Sequence, residues 1–334
     1  MTTNMLDVTD LVDEYQTGDQ MATRVASSDV LQQLAKANPQ FWGGAADLAS
    51  SNKTALKDDG NFTPDNYAGR NVYYGVREFG AATATNGINL HVGSRAYVST
   101  FMVFSDYLKA AIRLVAIQHL PSIFIFTHDS LAVGEDGPTH EPIEQLAMLR
   151  TIPNVQVFRP ADAHETVEAW KVIAKTTDKP SVLIASWQKL PVLDETKGAD
   201  VEKGAYIISP AKTQEPDGIL LASGSEVSLA LEVKAKLQKQ GDYDIQVVSV
   251  PSIERFKEQS ADYQEQVLPT GVRHRLAVEM GNTQAWYQFV GLDGRVVGVD
   301  TFGKSGKGPE VVADYGFTVD HVVDVFNKMW EDQN

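Results

Sequence analysis

Between Thr127 and Pro142 the chain reads THDSLAVGEDGPTHEP, which places His128, Asp136 and His140 on one short stretch with two glycines and two prolines. Imidazole and carboxylate groups hydrogen-bond and transfer protons near neutral pH, while glycine and proline fix the backbone that carries them. A solvated polar loop is the plain alternative, and the density of titratable groups argues against it. His128, Glu135 and His140 also raise the question of a metal. Their spacing matches no compact ligand pattern, so proton transfer and hydrogen bonding are the expected chemistry. Phe101, Phe104 and Tyr107 fall at i, i+3 and i+6 on one helix, a stripe that suits core packing or a flat aromatic ligand. Glu78, in GVREFG, reads as a cap or pairing partner near a helix start. Gly224 and Ser225, in SGSEV, can hold an anion at a helix N-terminus or serve as an ordinary turn with a cap.

These groups need elements to hold them. SIFIF, just before the loop, is a short buried strand, and ligands of open α/β sheets bind outside the carboxyl ends of the strands. SSDVLQQLAKANPQ has helical spacing at Val30, Leu31 and Leu34, with Ser28 or Asp29 as cap and Pro39 as stop. NVYYGV and SVLIAS read as strands, STFMVFSDYLKAAIRLVAI as one long helix, and HETVEAWKVIAK as an amphipathic helix. After a polar stretch, GILLASGSEVSLALEVKAKLQKQG reads as strand, turn and helix. IQVVSV, RLAVEM and RVVGVD are further strands, and TVDHVVDVFNKMW is a closing helix. Strand and helix alternate throughout, so the expected fold class is α/β: two domains, each an open, mostly parallel sheet with helices on both faces. The expected division is an N-terminal linker segment over 1–20, a first domain over 21–190, a linker over 191–205 and a second domain over 206–334.

Composition limits the functions open to the chain. With 334 residues, two cores are the default, and 43% hydrophobic content can fill them. A formal net charge of −15 argues against nucleic acid and anionic membrane as partners. The absence of cysteine excludes disulfides, thiolate metal sites and a cysteine nucleophile. The first residues lack a signal-peptide pattern and no apolar run is long enough to span a bilayer, so a cytoplasmic location is expected.

The loop THDSLAVGEDGPTHEP resembles the signature of the transketolases, enzymes that use thiamine diphosphate. The resemblance continues in order through ATR, GGAADLASSN, GVREFG, LHVGSRAY, STFMVFSDY, RPAD, SGSEV and TFGKSG. It covers the pyrimidine-binding and C-terminal domains of that family. The Gly-Asp-Gly motif that grips the cofactor's diphosphate and metal does not occur here. The resemblance implies a thiamine-diphosphate-binding fold followed by a transketolase C-terminal domain. It implies a part in two-carbon ketol transfer from a ketose phosphate to an aldose phosphate. The cofactors of the complete enzyme would be thiamine diphosphate with Mg²⁺ (or Ca²⁺), held weakly or not at all by this chain alone. A homodimer and an N-terminal transketolase half are the implied partners.

The same resemblance assigns roles by residue. It makes Glu78 the catalytic glutamate on the cofactor's pyrimidine ring, a carboxyl held in a dry site with a raised pKa. Phe101, Phe104 and Tyr107 would stack on that ring. His128 and His140 would bind substrate hydroxyls and phosphate, and Asp136 the donor's hydroxyl. Arg24, Asp47 and Ser51 match positions lining the substrate channel. Two positions depart from the pattern: Val92 stands where glycine is usual, and Trp187 where the family has an arginine that binds the substrate phosphate. The β subunit of a 2-oxoacid dehydrogenase and a non-catalytic assembly module are the competing readings.

Overall fold

The computed structural model describes residues 5–91, 93–241 and 243–332; Val92 lies outside them. Thirteen strands occur among the described residues. In chain order they are β1 Gln20–Met21, β2 Phe41–Ala45, β3 Asn71–Tyr73, β4 Arg95–Phe101, β5 Ile123–Thr127, β6 Gln156–Phe158, β7 Ser181–Ala185, β8 Leu190–Pro191, β9 Tyr206–Ser209, β10 Gly218–Ala222, β11 Ile245–Ser249, β12 Arg275–Val278 and β13 Arg295–Val297.

The first sheet has the order β3-β2-β4-β5-β7-β6 and is parallel throughout. The second has the order β13-β12-β10-β11-β9 and is parallel except for β9, which runs against β11. β1 and β8 form a small antiparallel ribbon. The chain is therefore two α/β domains on mostly parallel sheets.

The central strands are apolar without alternation because both their faces are covered. In β5, Ile123 and Ile125 pack with Phe41, Tyr97 and Trp170 on one face. Phe124 and Phe126 pack with Val98, Ile112 and Val182 on the other. Side chains alternate across a strand, so a run such as IFIF feeds two cores at once. Each such side chain, fully buried, contributes roughly 1.5–3 kcal/mol. Arg95 is also fully buried, and its guanidinium donates to the carbonyls of Ile173 and Thr176 at the end of the helix Ala163–Lys175.

Two local expectations are corrected. The segment read as one long helix splits into β4, a 3-10 turn at Met102–Phe104 and a helix at Ser105–Ile117. Tyr97, Val98, Thr100 and Phe101 favour a strand there, and central pairing with β2 and β5 settles it. The first helix begins at Thr23, five residues before the expected cap, because ATRVASS continues the helical run. Ser28 is buried inside that helix, and Asp29 instead accepts from the Tyr15 hydroxyl at 3.0 Å.

Candidate active site

The parallel order of the first sheet puts the carboxyl ends of β3, β2, β4, β5 and β7 side by side on one edge. Glu78, Asp47, Phe101, His128 and Trp187 are each at or just beyond one of those five ends. Residues far apart in sequence thus converge by topology alone.

Within this edge the side chains form a contacting column. The Arg24 guanidinium lies over the Trp187 indole at 4.0 Å. The indole stacks on His128 with ring centres 4.6 Å apart, and His128 packs on Phe101 at 3.7 Å. Phe101 and Phe104 are stacked at 6.0 Å, and Tyr107 follows Phe104 at 6.2 Å. His140 meets Phe104 edge-on at 5.5 Å. The aromatic stripe therefore exists, but it steps from a strand end through a 3-10 turn into a helix rather than along one helix.

Local contacts fix the column. The backbone N–H of Thr23 donates to Ser186 Oγ at 3.0 Å, and the N–H of Ser186 donates to Thr23 Oγ1 at 2.7 Å. This reciprocal pair docks the first helix on the end of β7 and so sets Arg24 beside Trp187. Arg24 also donates to the carbonyl of Ser51, in the helix Ala49–Asn52. His128 sits in a left-handed conformation, φ 62. Its Nδ1 is 2.7 Å from Thr127 Oγ1, which donates its own proton to Asn52 Oδ1 at 2.8 Å. A hydroxyl has one proton, so His128 Nδ1 must carry the hydrogen of the His128–Thr127 bond, leaving Nε2 as an acceptor. Burial, with Arg24 and His140 nearby, pushes the His128 imidazole down to about 3, so it is neutral at pH 7. Thr127 and Asn52 were missed by sequence reading, although Asn52 closes the quoted motif GGAADLASSN.

The remaining candidates are more open. Asp136 ends the 3-10 turn Leu131–Asp136 and is exposed, as is Asp47, which has φ 63. Glu78 opens the helix Glu78–Leu90, which packs on β4 and on the helix carrying Tyr107. It is half-buried, and Tyr73, Val76, Phe79 and Tyr107 are all exposed. The chain's own residues do not supply the dry surroundings expected for Glu78. Among the described residues, none of these three carboxylates hydrogen-bonds to the column. No group of three or more histidine and carboxylate side chains there is placed to hold a metal ion.

The second domain braces the loop. Gly134, φ +73, backs against Gly306 and Gly308, where a Cβ would lie within 2.7–2.9 Å of backbone atoms. Behind His128, Asp129 pairs with Arg159 at 2.8 Å, and Arg159 pairs with Glu226 at 2.5 Å. Glu279 takes a two-point contact from Arg150 at 2.7 and 3.0 Å. Gly224 allows this packing, since a Cβ there would lie 2.6 Å from the Arg159 guanidinium. Ser225 donates to Glu226, so the turn SGSEV is occupied by the chain's own charges rather than left open for an anion.

The transketolase pyrimidine-binding domain model matches residues 19–192, and the transketolase-like C-terminal domain model matches 204–318. The chain is 51% identical over 312 residues to a transketolase of Bacillus subtilis, covering 92% of this chain and 47% of that one. A Streptococcus pyogenes transketolase is 48% identical over 321 residues, with 95% and 44% covered. The crystal structure of Campylobacter jejuni transketolase superposes with a TM-score of 0.89 at 41% identity, over 96% of this chain and 49% of that one. A chain described as a split gene transketolase, inactive β4 tetramer, shares the fold at a TM-score of 0.73 and 23% identity, and 99% of it is covered. The chain belongs to the transketolase family and spans about half the length of the curated relatives it matches. Among the described residues, no helix is long and apolar enough to cross a membrane.

Proposed function

We propose that this chain is the C-terminal half of a cytoplasmic transketolase, supplying the pyrimidine and substrate sites for transfer of a two-carbon ketol unit from a ketose phosphate to an aldose phosphate. The observation that carries this reading is the convergence of Glu78, the Phe101–Phe104–Tyr107 face and the His128 loop on one sheet edge. The residues present fit one part of the cofactor. Stacked Phe101 and Phe104, with an exposed Tyr107 beyond them, offer an aromatic face to a flat heterocycle. The diphosphate and its Mg²⁺ (or Ca²⁺) are assigned to an N-terminal transketolase half, whether a separate subunit or a further part of the same chain.

When bound, thiamine diphosphate supplies the electron sink for breaking and making the carbon–carbon bond. Glu78 shares a proton with a ring nitrogen of the pyrimidine, and the aromatic face fixes that ring's plane. His128 accepts a hydrogen bond from a substrate hydroxyl at Nε2, while His140, Asp136, Asp47 and Ser51 orient the sugar. Covering Tyr73, Val76, Phe79 and Tyr107 with a partner would dry the surroundings of Glu78.

On its own the chain is proposed to be a folded, inactive homo-oligomer, with a homodimer the simplest form. The exposed apolar side chains around Glu78 favour this, as does the description of the split-gene relative. Mixing the chain with an N-terminal transketolase half tests the proposal: ketol transfer from xylulose 5-phosphate should appear only in the mixture. Turnover of pyruvate instead would favour a 2-oxoacid dehydrogenase role. Inactivity with a half that is competent beside other transketolase C-terminal halves would favour an assembly module.

A further inference from the structure

We propose that the cleft between the two domains at Arg150 and Glu254 binds a free α-amino acid with an aliphatic side chain. The inference does not rest on the ketol-transfer reading, since no residue of the carboxyl-edge site takes part in it.

The helix Gln145–Arg150 runs from the loop of His140 back toward the start of β6, so its last turn lies away from the carboxyl ends of the first sheet. There it lines a cleft with the helix Ile253–Lys257 and the 3-10 turn Thr283–Trp286 of the second domain. The cleft holds about 450 Å³, a size common among small-molecule sites. Ala147, Ile253 and Ala285 give it an apolar wall, and Arg150, Glu254 and Lys257 give it polar groups.

Two of those groups are buried and incompletely bonded. The Arg150 side chain is 4% exposed. Both its amino groups donate to Glu279, at 2.7 and 3.0 Å, while its Nε–H has no partner among the described residues. Glu254 Oε2 accepts from the backbone N–H of Val157 at 3.1 Å, while Oε1 is buried with no partner there either. Buried N–H groups and carboxylate oxygens are normally paired. Lys257 stands at i+3 from Glu254 on the same helix, yet it is exposed and its ammonium has no ion pair or hydrogen bond among the described residues.

These groups select a zwitterion. Glu279 already neutralises Arg150, so the charges left to a ligand are one cation, Lys257, and one anion, Glu254. A carboxylate between Lys257 and the Arg150 Nε–H, with an ammonium on Glu254 Oε1, satisfies all three by charge-assisted bonds. An aliphatic side chain then covers Ala147, Ile253 and Ala285. Burial raises the Glu254 carboxyl above its ordinary range and Arg150 pulls it back, and an ammonium at Oε1 would further favour the charged form. A dianion would face Glu254 with like charge, and an alkylammonium alone would leave the Arg150 Nε–H unpaired.

Calorimetry on the intact chain tests this with L-leucine, with 4-methylpentanoate, which lacks the amino group, and with 3-methylbutylamine, which lacks the carboxylate. Leucine should bind with a Kd of about 0.1–1 mM, and each analogue about tenfold or more weaker. Lys257→Ala changes an exposed side chain and should weaken leucine about tenfold without touching the fold. Glu254→Gln is the sharper variant. The Val157 N–H holds the amide oxygen, so the amide NH₂ replaces Oε1 and meets the ligand's ammonium donor to donor. It should lose leucine about tenfold or more and keep 4-methylpentanoate at least as well as wild type. Should that variant fail to fold by circular dichroism, Lys257→Ala and the two analogues decide. No saturation by leucine below about 10 mM would leave the cleft to water and overturn the inference. Equal affinity for leucine and 4-methylpentanoate would overturn it too, as would leucine binding that the substitutions leave unmoved.

Discussion

Arg159 and Asp129 lie 2.8 Å apart with both side chains almost wholly buried, and Asp129 is the residue next to His128. This pair hands the position of the loop that carries His128 to the second domain, because Arg159 also binds Glu226 and the carbonyl of Ser223. Arg159→Met would leave Asp129, Glu226 and Glu279 buried with Arg150 as the remaining guanidinium of the cluster. We expect a loss of about 3–5 kcal/mol in urea unfolding. Asp129→Asn, which keeps the shape, should cost less. A change below about 1 kcal/mol for Arg159→Met would show that the cluster does not brace the domains.

Glu141 makes stability depend on pH. Its side chain is buried against the second domain, and both oxygens lack a partner with normal hydrogen-bond geometry. Burial pushes its carboxyl up to about 7, while the backbone N–H groups of Lys304 and Gly134 pull the other way. The folded state then holds a proton that the unfolded state releases near its ordinary value of 4.5. Stability from this group is full below that value and declines as pH rises toward 7. Glu141→Gln should therefore unfold at higher temperature than wild type at pH 8, and the difference should shrink at pH 5. On the order of 1–3 kcal/mol is at stake. Equal pH profiles for the two proteins would contradict this.

Glu78→Gln separates chemistry from folding. Glu78 is half-buried at a helix start, so the amide should leave the melting temperature of the chain nearly unchanged. In the completed complex the variant should keep much of its cofactor affinity and lose about 10² or more in ketol-transfer rate, since an amide cannot share a proton with the ring nitrogen. Near-full turnover would remove Glu78 from the proposed mechanism.

The chain alone should bind thiamine diphosphate weakly. It offers the aromatic face but no cluster of metal-binding side chains among its described residues. The strong part of such binding comes from charge-assisted contacts to diphosphate and metal. Isothermal calorimetry should show millimolar or weaker affinity, rising when an N-terminal half is added. Tight, Mg²⁺-dependent binding to the isolated chain would defeat the expectation.

The parallel character of the sheets and the strands β3, β5, β7 and β10 to β13 were legible because central parallel strands are apolar on both faces, as in SIFIF and SVLIAS, whereas the strand order was not. β4 was not, since its residues satisfy a helical period as well as a strand, and only pairing with β2 and β5 separates the two. Spacing also showed that the loop from Thr127 to Pro142 was crowded with titratable groups. The proton direction on His128 was beyond it, because that depends on Asn52, 75 residues from Thr127. The pairing of Arg24 with Trp187 was equally hidden. Nothing in ATR or SWQKLP says that a helix start and a strand end will touch.

The ribbon of β1 and β8 has a consequence for how the first domain can be handled. Met21 pairs with Leu190, and the backbone of Gly18 and Asp19 exchanges further hydrogen bonds with Val192. The backbone therefore arrives and departs side by side, so the stretch from Met21 to Leu190 is close to a ring tied at one knot, with Leu6 and Tyr15 of the preceding segment packed on its core. Joining those two points and opening the ring at an exposed turn elsewhere should give a circular permutant with the same sheet, as adjacent termini commonly allow. Another protein could equally carry the whole unit as an insert in one surface loop, without separating the ends of that loop.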